Sequence, residues 1–422
     1  MKANLRNSAA FVTLALIVPA AADVTYSNLL DTAIPTGWTG VTVSVNGGSI
    51  NPFFGGVGVL NDSLFQPARV GTDQLATILN LPVGTTISSS NGTLSFSSGV
   101  GGSEDHLGTN FSAGTEGYIG FNSNGNYGWM RVAFTFDTAG AVIKDWAYDN
   151  GGSGGSIVVG RVLESVVDGT HNLVTLSPGT GETFTLGSTL ADKGGGVING
   201  VTKTGAGTTT LGATNTYSGA TAVDAGTLVI NGSTSTSSAV TVSNAGSKLT
   251  GSGTVGGNTT INPGAILAPG SGVGKESFSN NLTLGAASGS IFEWDLASTP
   301  AATGRGTSYD AVNVAGTLAG SGAIFRVLLN GGQDFSETFW DTARTWTDIF
   351  KSADGGSNLS IAAIFSGVEY YNSANGALTG IPTTQGYFSF SGTSMNWTAV
   401  PEPSTALAGL LLGAGLLRRR RE

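Results

Sequence analysis

The residues that could do chemistry are few and scattered. Asp145 and Asp149 stand four apart around Trp146 in "AVIKDWAYD", so on a strand they point the same way. Two carboxylates beside an aromatic ring are what hydrolysis of a glycosidic bond requires. The plainer expectation is that this pair simply flanks solvent. Glu104-Asp105-His106 offers donors to a cation, but one histidine in a polar, glycine-rich loop reads as solvated. Glu164, Asp168, Glu182, Asp192 and Asp224 are spread through different positions of a tryptophan-free stretch. "GGSGGS" at 151–156 lacks the aspartates of a calcium-binding nonapeptide. No Walker A or dinucleotide fingerprint lies between a strand and a helix. Nucleophile, base and orienting group do not form a set, so no catalytic residue, metal site or cofactor is expected. Trp38, Trp129 and Trp146, with Trp340, Trp346 and Trp397, could stack on a glycan, although most are expected in the core.

The elements that would position these residues are β. Glycine supplies 67 of 422 residues, without the three-residue period of collagen, and sits between short runs of Val, Ile, Leu and Thr. Charged residues are 11% of the chain and the formal net charge is −9, which argues against nucleic acid as a partner. With no cysteine, a large core or a long hydrogen-bonded stack must hold the chain together. Lys2 and Arg6 precede an apolar run, and Ala20-Ala21-Ala22 supplies small residues before Asp23. That order predicts a secretory signal peptide over 1–22, with signal peptidase cutting between Ala22 and Asp23.

From 23 to 160 the chain is rich in aromatic strands, and "GYIGFNSNGNYGWMRVAFTFD" predicts a hairpin around Asn124-Gly125-Asn126. The segment reads as a β-sandwich-like domain, with one helix expected near Gly71 to Leu81. Between 161 and 330 the texture turns to Gly, Thr, Ser, Val and Leu. Gly226, Gly246 and Gly264 share one register in "DAGTLVING", "NAGSKLTGSG" and "NPGAILAPG", at separations of 20 and 18 residues. Gly289 and Gly316 repeat the theme more loosely. A corner glycine followed by a strand is what a coil of stacked parallel strands requires. At about 20 to 25 residues per circuit this predicts about seven or eight rungs, spaced about 4.8 Å apart. An antiparallel sandwich is the competing architecture. Residues 331–399 are expected to form a β cap, with "FSETFWDTARTWTDIF" closing the open end of the coil.

"GVINGVTKTGAGTTTLGATNTYSGATAVDAGTLVINGS", Gly196 to Ser233, resembles the autotransporter-associated β-strand repeat. Lys203, Gly205, Gly207, Leu211, Asn215, Tyr217, Gly219, Thr221, Gly226, Thr227 and Leu228 fill its pattern. The resemblance implies a parallel β-helix. The stretch from Ser308 to Leu329 also resembles the distal part of such passengers. A self-transporting passenger ends in a membrane barrel, for which there is no room after Leu329, so another export route is expected.

The segment 400–422 resembles the PEP-CTERM sorting signal, with Pro401, Glu402 and Pro403, an apolar run from Ala406 to Leu417, then Arg418, Arg419, Arg420 and Arg421. Twelve residues span about 18 Å as a helix, short of about 30 Å of hydrocarbon, which suits a temporary inner-membrane hold. The prolines keep the peptide extended and the arginines stay cytoplasmic. The resemblance implies cutting by an exosortase-type protease and transfer to the cell surface or extracellular matrix. The whole reads as an exported structural or adhesion protein, with polysaccharide as a candidate partner. The rival is a secreted β-helix that binds or degrades polysaccharide.

Overall fold

A computed structural model describes residues 23–400 apart from short segments at 28–30, 72–75, 90, 98–109, 137, 151–154, 161, 167–169, 188, 287–288, 298–302, 330–337, 373–376 and 379–385. The chain is all-β. Its spine is a 16-stranded sheet that runs through the whole molecule.

One end of that sheet is antiparallel. The hairpin of Glu116–Ser123 and Asn126–Ala133 turns at Asn124 and Gly125, both at positive φ, which matches the twist of the flanking strands. Val142–Asp149 pairs with the second hairpin strand and then with Asp23–Tyr26. Alternation along Asn126–Ala133 suggested one core face, yet both faces are buried. Trp129 packs with Tyr26, Tyr118 and Ala147 on one side, and Met130 and Val132 pack with Ile119, Phe134 and Ile143 on the other. A small sheet of Val43–Val45, Gly48–Phe53 and Gly58–Asn61 covers the second side. The pair Thr86–Ser88 and Ser156–Val158 covers the first, placing Ile87 and Ile157 in the same core as the coil. No helix forms near Gly71 to Leu81 among the described residues. Ile78 bridges Arg69 and Asn80 bridges Ile119, so residues 76–81 are extended, with Ile78 and Leu81 buried, while 72–75 lie outside the described residues.

Asp23–Tyr26 is the hinge of the architecture. One edge pairs antiparallel with Val142–Asp149, and the other pairs parallel with Thr183–Leu186. From there the long face of a parallel coil continues through Thr208–Leu211, Thr227–Ile230, Lys248–Gly251, Ile266–Pro269, Ile291–Asp295, Ala323–Leu329 and Phe365–Asn372. A second face stacks His171–Leu176, Ile198–Lys203, Thr221–Val223, Val240–Val242, Thr259–Ile261, Leu282–Ala286 and Leu318–Ser321. A third stacks Thr254–Val255, Lys275–Phe278, Ala311–Val314 and Phe350–Lys351. All these pairings are parallel, which rules out the antiparallel sandwich.

Alternation sends every second side chain into the coil, where in-register stacking builds columns. One column runs Phe184, Thr209, Leu228, Leu249, Leu267, Phe292 and Phe325. Phe350 and Phe365 extend the coil past the boundary expected at 330, and the shared sheet crosses the one expected at 160. At the far end Arg344–Trp346, Gly386–Ser391 and Ser394–Ala399 form a three-stranded antiparallel sheet. Trp340, Trp346, Phe388 and Trp397 pack edge to face there and meet Trp294 from the coil.

Candidate functional site

The acidic pair is not a surface feature. Asp145 and Asp149 are both buried, not flanking solvent. Asp145 receives Nε and Nη2 of Arg131, at 3.0 and 2.5 Å, and the hydroxyl of Tyr26 at 2.6 Å. Burial disfavours the Arg131 charge, but the adjoining Asp145 carboxylate outweighs it and the guanidinium is held more firmly protonated than usual. Glu116 adds a second contact at 3.2 Å. Arg131 and Asp145 neutralise each other, both fully buried, at the joint between the N-terminal β-domain and the coil. Sequence reasoning placed Arg131 on a strand without giving it a role; an arginine among aromatic residues was the signal.

Of the tryptophans offered for stacking, Trp129, Trp340, Trp346 and Trp397 are core. Trp146 is half-buried against Tyr148, and Trp38 is 65% exposed. Asp192 accepts from the amides of Asn199 and Ser218 and from the Ser218 hydroxyl, so it staples one circuit to the next. Glu182 accepts from the amide of Gly179, closing a turn, and Asp224 lies beside a corner where its carbonyl accepts from Asn244. Glu104-Asp105-His106, Asp168, Ala20, Ala22, and Pro401, Glu402 and Pro403 with Arg418 to Arg421 lie outside the described residues, as does most of "GGSGGS". Asp23 opens the first strand. Among the described residues no group of three or more His, Cys, Asp or Glu is arranged to hold a metal ion. No helix among them is long and apolar enough to cross a membrane.

The motif between Lys203 and Leu228 is where side chains converge. Lys203 occupies an inward column between Leu176 and Val223. Its ammonium turns to the corner and donates to the carbonyls of Gly205 and Ala225, the latter at 2.9 Å. Burial lowers its pKa to about 8. Gly205 and Gly207 pass so close to the previous circuit that a Cβ would lie 2.0 Å from the Pro178 carbonyl oxygen and 2.2 Å from that of Gly179. Asn215 accepts from the amide of Leu190 and donates to the carbonyls of Ala213 and Ser233, joining three circuits. Tyr217 is buried, its hydroxyl bonded to Thr221 at 2.7 Å, and Thr221 to Ser238 at 2.9 Å. Gly226 turns at φ +66°, Gly246 at +82° and Gly264 at +76°, each just before or near a strand of the long face. Gly289 and Gly322 continue this row, at +92° and +74°; the expected Gly316 does not, because the next long-face strand starts after Gly322.

Lys203, Gly205, Gly207 and Asn215 therefore bond or clear the backbone of a neighbouring circuit. Residues 201–230 match the passenger-associated-transport-repeat. No curated protein matches the chain. The transport repeat suggests a secreted or surface passenger. It spans one circuit and its contacts on either side, and the later circuits keep the geometry with fewer of its residues: Val242 and Ile261 occupy the column of Lys203.

Two buried acids were not singled out from the sequence. Glu276 faces inward in a column with Val312 and Phe350. Neither of its carboxyl oxygens has a hydrogen-bond partner, and burial raises its pKa well above the ordinary carboxylate range. Asp310 is also raised, first by burial and then by the Asp295 charge. It accepts from the amides of Gly274 and Asp295, which ties the third face to the long face. In "KESF" Glu276 shares a strand face with Phe278, which alone does not mark that face as buried.

Proposed function

We propose that this chain is an exported structural or adhesion protein of the cell surface or extracellular matrix, with no catalytic activity of its own. The observation that carries the reading is the use made of polar side chains in the coil. Lys203, Asn215, Thr221 and Asp192 are spent on bonding one circuit to the next, which leaves a rod held by backbone ladders rather than a reaction centre. The transport repeat supports export. The pattern of Pro401, Glu402 and Pro403, the apolar run and Arg418 to Arg421 supports a temporary hold in the inner membrane, cutting by an exosortase-type protease and release to the surface or matrix.

Mass spectrometry of the termini, on protein recovered from cells and from the surrounding matrix, tests this. Exported chains are expected to begin at Asp23 and to end near Pro401. An intact arginine tail in all exported material would remove the sorting step. Release of reducing or unsaturated sugars from a polysaccharide panel by purified protein would replace the structural role with an enzymatic one.

A further inference from the structure

The N-terminal β-domain carries one exposed aromatic arrangement that neither the core nor the coil uses. Trp38 is 65% exposed, yet its ring is not loose. It stacks on Phe53, with centroids 5.5 Å apart and 23° between the planes, and meets Phe54 edge-on at 4.5 Å. Phe54 sits at φ +48°, a region that bulky side chains avoid and keep only where surrounding structure holds them. The holding bonds run from the amides of Phe54 and Gly55 to the carbonyls of Gly37 and Pro35. Phe53 lies across Gly58, where a Cβ would come within 2.2 Å of the ring. The loop that bears Trp38 is thus clamped to a strand turn, and its ring is set flat on the surface.

Asn51 lies two residues before Phe53 on the same strand, and its neighbours are neutral polar groups. The Asn51 amide donates to the Thr42 hydroxyl at 2.9 Å, and Asn51 Oδ1 lies over Gly40, two residues from Trp38. From Ala33 through Asn61 the sequence contains no ionisable side chain. A sugar ring presents an apolar C–H face and a rim of hydroxyls, so it needs a flat aromatic surface with neutral donors and acceptors alongside. An acidic chain would need cationic partners, which this stretch does not supply. A protein partner would need a wide apolar core, whereas the exposed apolar surface here is the Trp38 ring and, across the strand from Asn51, Leu60 at 38% exposure.

We propose that Trp38, backed by Phe53 and Phe54 and rimmed by Thr42 and Asn51, is a stacking platform for a sugar ring of a neutral polysaccharide. Because the ring is already fixed, binding orders little of the protein. A single platform binds one ring weakly, and many molecules on one long polymer add up through avidity. The proposal draws on the exported reading only for where such a polymer would be met, and its test uses purified protein, so its outcome is separate from that of the terminal processing.

The experiment is affinity electrophoresis of the 23–400 chain in gels containing hydroxyethyl cellulose, laminarin or dextran, with alginate as the acidic probe. Retardation by at least one neutral polymer is expected. Trp38→Ala should weaken it about tenfold, the worth of one good stacking contact, Trp38→Phe should retain part of it, and Trp146→Ala should leave it unchanged. Unaltered circular dichroism of Trp38→Ala would show that the fold is intact, as exposure of the side chain predicts. No retardation by any neutral polymer, equal retardation of Trp38→Ala, or preference for alginate would overturn the proposal. So would a dimer in light scattering, or co-sedimentation with phosphatidylcholine vesicles, that Trp38→Ala abolishes, because the ring would then serve a second copy or a lipid surface.

Discussion

Lys203 and Glu276 are both charged residue types in inward columns of an apolar coil, and they are treated in opposite ways. Lys203 reaches carbonyls at a corner. Replacing it by Met fills the column but leaves those carbonyls without their donor, and a loss of about 1 to 3 kcal/mol is expected in urea denaturation. Glu276 has no such partner. Its folded pKa is raised, so the folded state holds the proton that the unfolded state gives up near pH 4.5, and stability falls as pH rises from there toward the folded value. Glu276→Leu should therefore be more stable than the parent at pH 7, by about 1 to 3 kcal/mol, with the gap narrowing below pH 4.5. An equal gap at pH 3 and pH 7 would show that ionisation is not the cause. The role of Lys203 was legible because it belongs to a motif with fixed spacing. Those of Glu276 and Arg131 were not, since a single charged residue on an alternating strand looks the same whether its face meets water or another layer.

The glycines of the coil divide into two kinds that the sequence does not distinguish. Gly246 needs a positive φ, but a Cβ there would meet nothing within 4 Å; at Gly205 a Cβ would strike the Pro178 carbonyl at 2.0 Å. Gly246→Asn is expected to cost under about 1 kcal/mol, because Asn tolerates the left-handed region. Gly205→Ala must push two circuits apart and should lower the thermal midpoint far more. Similar midpoints for the two variants would mean that close stacking is not what fixes these positions. The corner row at Gly226, Gly246 and Gly264 could be read from spacing alone. Past Gly289 the circuits lengthen and aromatic strands such as Phe365–Asn372 take over, so the period fades while the hydrogen-bond register persists. Part of the helix expected at Gly71 to Leu81 is extended for a related reason: apolar residues such as Ile78 and Leu79 also suit a segment lying along a sheet.

At the scale of the molecule, Asp23–Tyr26 joins the N-terminal β-domain and the coil by pairing on both edges. Proline at position 25 would remove an amide from a strand with neighbours on each side and should split the protein into two cooperative units, visible as two transitions in calorimetry and as new cleavage near 160–170 under limited proteolysis. A single unchanged transition would show that the other packed layers suffice. This joint was hidden because a four-residue strand such as Asp23–Tyr26 gives no sign of a partner some 160 residues away. Covering the first rung in this way also removes an open sheet edge, as the tryptophan-rich sheet does at the other end.

Because the strands lie across the axis of the coil, their hydrogen bonds lie along it. A pull between the two ends loads successive rungs in series, like links of a chain, so under tension the coil should part at its weakest rung.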